Sequence, residues 1–398
     1  MKKIMILGAS ILQLPAIRKA KDMGLKTIVV DMDKNAIGFK EADVCLYIST
    51  IDIDSVVEAA KKYQIDGIIT LASDMPMRTI ARVAKELNIV GITEDTAFKA
   101  TNKVSMRTCL KENDVPVPTF YRVKNEEEYK NAIRGFQSKL IVKPADNSGS
   151  RGVFLIEDIH DEAVIKYAYE YSRKYSRSGE IIVEDYMEGP EVSVETLSIN
   201  GEVSVIAITD KLTTGAPRFV EMGHSEPSKL ERGIQEQIRD VAKRAVKAIG
   251  IENGPSHTEI KVTKDGPKIV EIGARLGGDN ITTSLVPLST GVNMVECCIR
   301  IALGEKPDIE QKFHKSSAIR YFDTPVGILK DIEGIEEAKK LDGIKQISFT
   351  KNIGDKVGII LSSVDRIGFV IAQDETTEKA IKDCEEAIKR ILITVEDK

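Results

Sequence analysis

Short apolar runs alternate with amphipathic stretches over residues 1–93. KIMILG (3–8), TIVVD (27–31), VCLYI (44–48), GIITLA (67–72) and NIVGI (88–92) are rich in β-branched residues, as buried strands are. DSVVEAAKKY (54–63) and RTIARVAKEL (78–87) carry apolar residues at helical spacing. This alternation predicts a doubly wound parallel sheet. The first turn, GASILQ, lacks two glycines of the dinucleotide fingerprint GxGxxG, which speaks against a nicotinamide enzyme. The Gly8–Ser10 turn still opens a helix at the carboxyl end of a strand, where small ligands commonly sit. Asp31, at the end of the second run, reads as a surface or capping residue.

EDTAFKATNKVSMRTCLKENDVP (94–116) reads as two short helices, and VPVPTF then starts a new unit. HDEAVIKYAYEYSRKY and GIQEQIRDVAKRAVKAIG predict two more helices, the second stopped by Gly250. Asn200–Gly201 marks a tight hairpin. The last stretch predicts a small α+β unit, with strands near YFDTPVG, QISFT and RIGFVIA and a closing helix, TEKAIKDCEEAIKRIL.

Between the apolar runs LIVKP and VFLI lies the polar segment DNSGSRG (146–152). It is longer than a tight hairpin needs. Glycine-freed backbone N–H groups and serine hydroxyls can wrap an anion. Lys143, at the root of the loop, adds a full positive charge. The alternative is a plain turn between strands.

Further on, HTEIKVTKDGPKIVEIGARLGGD (257–279) holds two alternating runs around the turn signal Asp265–Gly266. A three-residue loop, Lys264 to Gly266, sets 263 against 267 and Glu259 against Glu271. Their Cβ atoms are then about 5 Å apart on one face. Ile260, Val262, Val270 and Ile272 fill the other face. Facing carboxylates need a positive charge between them. Lys261 or Arg275 could supply it, or a hard divalent cation such as Mg²⁺, which takes one or two carboxylates plus substrate phosphates.

Net charge −5 and pI 5.7 give no basic excess, so nucleic acid is not an expected partner. No apolar run is long enough to span a membrane. The opening MKKIMILGASILQL resembles a signal peptide, but Gly8, Ser10, Gln13 and Pro15 interrupt it, and a first buried strand is expected instead. Five cysteines without a CxxC pair fit a reduced cytoplasm, and no histidine is spaced as a zinc site. The P-loop signature GxxxxGK[ST] is absent, as are the kinase signatures HRD and DFG.

Taken together, Lys103 after Asn102, IVKP with Lys143, DNSGSRGV, VEDYMEGPEVSVE, GPSHTE and EIGARLGGD resemble the ATP-grasp ligases, and within them the L-amino-acid ligase branch. The resemblance implies an α/β and α+β multidomain chain. It comprises an N-terminal pre-ATP-grasp parallel sheet (1–93), two α+β subdomains of the ATP-grasp fold (94–185 and 186–312) and a small C-terminal α+β domain (313–398). It implies that Lys103 and Lys143 contact the α and β phosphates of ATP. Asn147, Ser148, Gly149, Ser150 and Gly152 would close over the triphosphate. Glu184, Asp185, Tyr186 and Met187 would form a hinge reading the adenine edge, and Glu191 would hold the ribose. Glu259 and Glu271 would hold Mg²⁺, as one or two ions, with Mn²⁺ as a substitute. Arg275 would steady the γ-phosphate. His257 and the segment 211–224 would border the substrate pocket, although a hydrogen-bonded core histidine is an equal reading for His257. Many ATP-grasp enzymes carry Asn two residues after the second metal glutamate. Here that position is Gly273, which weakens the case for a second ion. The implied activity is ligation of a carboxylate to an amine through an acyl-phosphate, on amino acids or similar small molecules, in a cytoplasmic chain with a homodimer as the working expectation. A phosphoribosylglycinamide synthetase-like ligase and a non-catalytic ATP-binding protein are the alternatives. The first turn has no basic residue before Arg18 to meet a ribose phosphate.

Overall fold

The structure is a computed structural model that describes residues 1–147 and 149–396. Its N-terminal layer is a four-stranded parallel sheet in the order Val44–Leu46, Lys26–Val30, Lys3–Leu7, Gly67–Ile69. The predicted helices appear as Ile53–Tyr63 and Met77–Leu87. NIVGI is not a strand. Asn88 caps the preceding helix in the left-handed region, and a Cβ on Gly91 would lie 2.6 Å from that of Ala84. The segment packs against the helix and buries Ile92 instead of extending the sheet.

The predicted helix pair follows as Glu94–Thr101 and Lys103–Glu112. Thr93 and Asn102 cap them, each accepting an N–H through its side chain, and Asn102 both ends the first helix and starts the second. A four-stranded antiparallel sheet comes next, ordered Phe120–Val123, Ile181–Asp185, Leu140–Pro144, Phe154–Ile156. The helix Glu162–Tyr175 packs on it, turning Ala168, Tyr169 and Ser172 inward.

The largest sheet has eight antiparallel strands. Gly266–Gly273, Gly254–Thr263, Glu191–Ile199, Glu202–Thr213 and Glu221–Glu226 form one side, in that order. Ser316–Tyr321, Gly368–Asp374 and Ile344–Phe349 continue it, so the C-terminal residues extend the same sheet. YFDTPVG itself links two strands, Ser316–Tyr321 and Gly327–Glu333, and is not a strand over its whole length. The Asn200–Gly201 hairpin forms as expected, both residues at positive φ (50° and 80°). The helix Arg232–Ile249 ends on Gly250 at φ 87° and lies across the sheet. It buries Ile238, Val241, Ala245 and Val246 against Ile260, Ile269 and Ile272, each valine and isoleucine side chain contributing about 1.5–3 kcal/mol of transfer free energy. Among the described residues no single helix is long and apolar enough to cross a membrane.

Candidate active site

The two antiparallel sheets enclose a cleft. The smaller sheet presents Ile141, Lys143 and Val153 to it; the larger presents Glu191, Lys211, Glu259, Val270 and Glu271. Lys103, at the start of its helix, lies between them.

The strand Leu140–Pro144 carries Lys143 inward. Its Nζ is 2.6 Å from Glu184 Oε2, and both side chains are buried. Arg107 completes the group: Nε donates to Glu184 Oε1 at 2.6 Å and Nη2 to Val270 O at 2.6 Å. Burial works against the Glu184 carboxylate, but Arg107 and Lys143 outweigh it and hold the group at about 2. Burial pushes the Lys143 ammonium down, and Arg107 and Lys103 push the same way. Glu184, expected at a hinge, therefore serves as a buried counter-charge. Arg107 was missed by the sequence reading, although the spacing carries a signal. It lies four residues after Lys103 on the stripe that buries Val104, Met106 and Leu110.

Asp185, Tyr186 and Met187 line the cleft where the adenine is expected. The N–H groups of Asp185 and Tyr186 donate to Thr119 O and Lys139 O, so neither can also donate to a base without losing that bond.

The loop after Lys143 is anchored at its stem. Asp146 accepts from the Ser176 hydroxyl and from the N–H groups of Arg177 and Ser178, and Asn147 O accepts from Lys103 Nζ at 2.7 Å. Gly149, Ser150 and Gly152 all have positive φ. At Gly152 a Cβ would also meet Pro144 and Tyr175 within 2.7 Å. Asn147, Gly149 and Ser150 line the cleft; Ser148 lies outside the described residues.

Glu259 and Glu271 face each other, as the alternation predicts. The register reaches that pairing by a different route. The turn is two residues, with Thr263 opposite Gly266, and a bulge beyond Ile260 restores the alignment. The bulge moves Ile269 into the core and turns Val270 toward the cleft. The neutralising cations also differ from those expected. Lys103 Nζ lies 2.8 Å from Glu271, and Lys211 Nζ lies 2.9 Å from Glu259. Lys261 pairs with Glu191 at 3.1 Å instead, and Arg275 with Asp74. Lys211 also reaches Glu191 at 2.7 Å and Glu221 at 3.6 Å. Burial disfavours its charge, yet the three carboxylates raise its ammonium well above the ordinary range. Within the segment 211–224, Lys211, Thr213, Phe219 and Glu221 line the cleft, whereas His224 faces Asp279 at 3.4 Å.

His257 is buried, with Nδ1 2.5 Å from Glu195 Oε1 and Nε2 3.6 Å from Glu259. Burial alone would lower its pKa; Glu195 and Glu259 outweigh that and raise it to about 9. The imidazolium thus braces Glu259 from beneath and is not among the residues lining the cleft. A Cβ on Gly277 would lie 2.7 Å from both Glu195 and His257, which explains a glycine there.

Arg275 forks onto Asp74, Nε to Oδ1 at 2.9 Å and Nη2 to Oδ2 at 3.2 Å. Gly273 lies against this pair. A Cβ on Gly273 would lie 2.9 Å from Asp74 Oδ1 and 3.2 Å from Arg275 Nε, so a side chain there would require the pair to shift. From the segment just before the strand Gly368–Asp374, Arg366 reaches back, holding Asp279 with two bonds (2.7 and 2.8 Å) and donating to Glu221 O at 2.7 Å.

Residues 136–283 match the family model of the ATP-grasp domain, and residues 320–396 match that of the L-amino acid ligase C-terminal domain 2. The chain thus carries an ATP-grasp domain, and its relatives include carboxylate–amine ligases. An L-amino acid ligase from Bacillus licheniformis superposes with TM-score 0.83 at 25% identity, covering 100% of this chain and 99% of that one. Phosphoribosylglycinamide synthetase from Anaerococcus prevotii gives 0.81, also at 25% identity, covering 99% and 100%. The L-arginine-specific L-amino acid ligase of Bacillus subtilis is 28% identical over 273 residues, spanning 68% of this chain and 66% of that protein.

Proposed function

We propose that this chain is an ADP-forming ligase that joins the carboxylate of one amino acid, or similar small molecule, to the amine of another. The observation that carries the reading is the convergence of Lys103, Lys143 and the Glu259–Glu271 pair on one cleft beneath a positive-φ glycine loop.

A carboxylate oxygen attacks the γ-phosphorus of ATP, the bond to the β-phosphate oxygen breaks, and ADP leaves. The amine nitrogen then attacks the acyl carbon, inorganic phosphate leaves, and the nitrogen loses a proton. Little of this needs a covalent protein group; positioning and charge do the work. Lys103 and Lys143 would hold the phosphates, and the 147–152 loop would exclude water from the acyl-phosphate. Glu191 would accept a ribose hydroxyl in competition with its present partners, Lys211 and Lys261. Arg275 would steady the γ-phosphate once it leaves Asp74.

Glu259 and Glu271 fit Mg²⁺, whose usual protein share is one or two carboxylates. Among the described residues no group of three or more His, Cys, Asp or Glu forms a protein-only cage. When bound, the ion supplies charge neutralisation on the phosphates. One ion suits this pair better than two, since glycine at position 273 offers no side-chain ligand.

The test is ADP release with Mg-ATP and pooled L-amino acids, followed by mass spectrometry. ADP with a new dipeptide mass is expected. ADP with glycine and phosphoribosylamine alone would replace this reading with the purine-type ligase. Against that second reading, Arg18 is exposed and tied to Glu41 at 2.6 Å. ATP binding with no turnover on any carboxylate would leave a binding protein.

A further inference from the structure

A second cavity, of about 440 Å³, adjoins the nucleotide cleft. Lys103, Asn147 and Glu271 line both, so the two meet where phosphates and paired carboxylates come together. The N-terminal unit supplies an apolar part to it, Ile51, Ile53 and Met75, together with Asp74 and Arg78. The loop stem and the end of the 162–175 helix supply Asp146, Arg177 and Ser178.

Most charges here are already matched. Lys103 has Glu271, and Asp74 has Arg275. Asp146 accepts three hydrogen bonds, from Ser176, Arg177 and Ser178. The two arginines differ. Arg78 donates Nε to Thr101 Oγ1 at 2.9 Å and lies over the Phe98 ring at 4.8 Å. Arg177 donates through its side chain to the sulfur of Met75. Neither has a carboxylate at ion-pair distance among the described residues. They come from separate units and line one cavity, in which each of the three carboxylates, Asp74, Asp146 and Glu271, already has a partner elsewhere.

We propose that this cavity seats an anionic substrate group that the reaction does not consume, held by Arg78 and Arg177. The inference rests on the ligase reading above. The carboxylate that reacts must reach the γ-phosphate, at the end bounded by Lys103 and Glu271. A charge held by Arg78 and Arg177, which contact neither, is therefore a spectator. The carboxylate of the amino acid that acts as the amine fits best. Its nitrogen would lie toward Glu271 and its side chain against Ile51, Ile53 and Met75. A phosphate on the amine would share this chemistry.

The test is a competition. Mg-ATP and pooled L-amino acids are offered with an equimolar pool of L-amino acid amides and with O-phosphoethanolamine, and the products are weighed by mass spectrometry. The wild-type protein should favour acceptors with a free carboxylate over their amides. Arg78→Ala and Arg177→Ala should each lower that preference roughly tenfold, the loss of one charge-assisted hydrogen bond. The ratio is read within one sample, so a partly unfolded variant cannot mimic the result. A phosphoethanolamine product that outruns the dipeptides, and falls in both variants, supports the site and names phosphate as its anion. Amide products with a ratio unmoved in both variants overturn the site and leave the ligase reading intact. No ADP from the wild-type protein with any mixture overturns the ligase reading and this site with it.

Discussion

Two buried lysines face each other across the nucleotide cleft, and their surroundings are opposite. Lys143 shares one carboxylate, Glu184, with Arg107, and its ammonium is pushed down by burial and by neighbouring cations. Lys211 sits among three carboxylates, Glu191, Glu221 and Glu259, and its ammonium is pushed up. The cluster around Lys143 thus carries an excess of positive charge and that around Lys211 an excess of negative charge. On the proposed function, a triphosphate would complete the first and a divalent cation the second. The same buried residue type would therefore have two roles on that reading: Lys143 would meet an anion, while Lys211 is the counter-ion of the acidic wall.

The sharpest way to break this comparison is Lys211→Met. It removes the shared cation of three half-buried carboxylates, of which Glu191 keeps Lys261 and Glu259 keeps His257, and the expected cost is about 2–3 kcal/mol. Urea denaturation checks this. A stable Lys211→Met protein would mean that Glu191, Glu221 and Glu259 find other partners, and the contrast with Lys143 would collapse.

Glu271→Gln comes next and should separate chemistry from stability. Its carboxylate is partly solvated and has one lysine partner. The amide keeps the shape while losing the charge. ADP release should fall roughly 10²–10³-fold, the scale for removing one preorganised electrostatic contact. The melting temperature should move little. Full activity in Glu271→Gln would remove the metal assignment.

Lys143→Met is the counterpart of Lys211→Met and should behave differently. Arg107 still satisfies Glu184, so stability should change by about 1 kcal/mol or less. Affinity for ATP should fall roughly 10–100-fold, measured by calorimetry with Mg-ATP. Equal destabilisation by the two lysine variants would show that both are simple counter-ions.

The legible part of this site was its local part. Alternation set Glu259 against Glu271, and a polar loop with a lysine at its root was visible as a string. The partners of those groups were not. Lys211 lies 48 positions from Glu259, and Asp74 lies 201 from Arg275. Only the stacking of strands and of the N-terminal layer brings them together. Even where the pairing was anticipated, its mechanism was not. A two-residue turn plus a bulge gives the glutamates the same opposition as the three-residue loop, because one extra residue compensates for the shorter turn. The side chains between turn and bulge change faces, so Val270 and not Ile269 meets the cleft. NIVGI failed for a related reason: β-branched composition marks burial, and burial against a helix looks the same in sequence as burial in a sheet.

The smallest expected effect concerns a carboxylate outside both lysine clusters, on the same strand as Glu221. Glu226 is buried, accepting hydrogen bonds from Thr209 and Ser289, and burial raises its pKa to about 7. A carboxyl whose folded value is raised stabilises the fold fully below its unfolded value and loses that contribution as pH rises through the folded value. The protein should therefore lose about 2 kcal/mol between pH 5 and pH 7 on account of this group. Glu226→Gln keeps the size and an acceptor oxygen but cannot ionise. Its melting temperature should be flatter over that range and higher than wild type above pH 7. An unchanged slope would place the titrating charge elsewhere. A flattened slope would instead mean that, on this sheet, acids without a lysine pass to the neutral form, whereas those around Lys211 stay charged because the lysine is there.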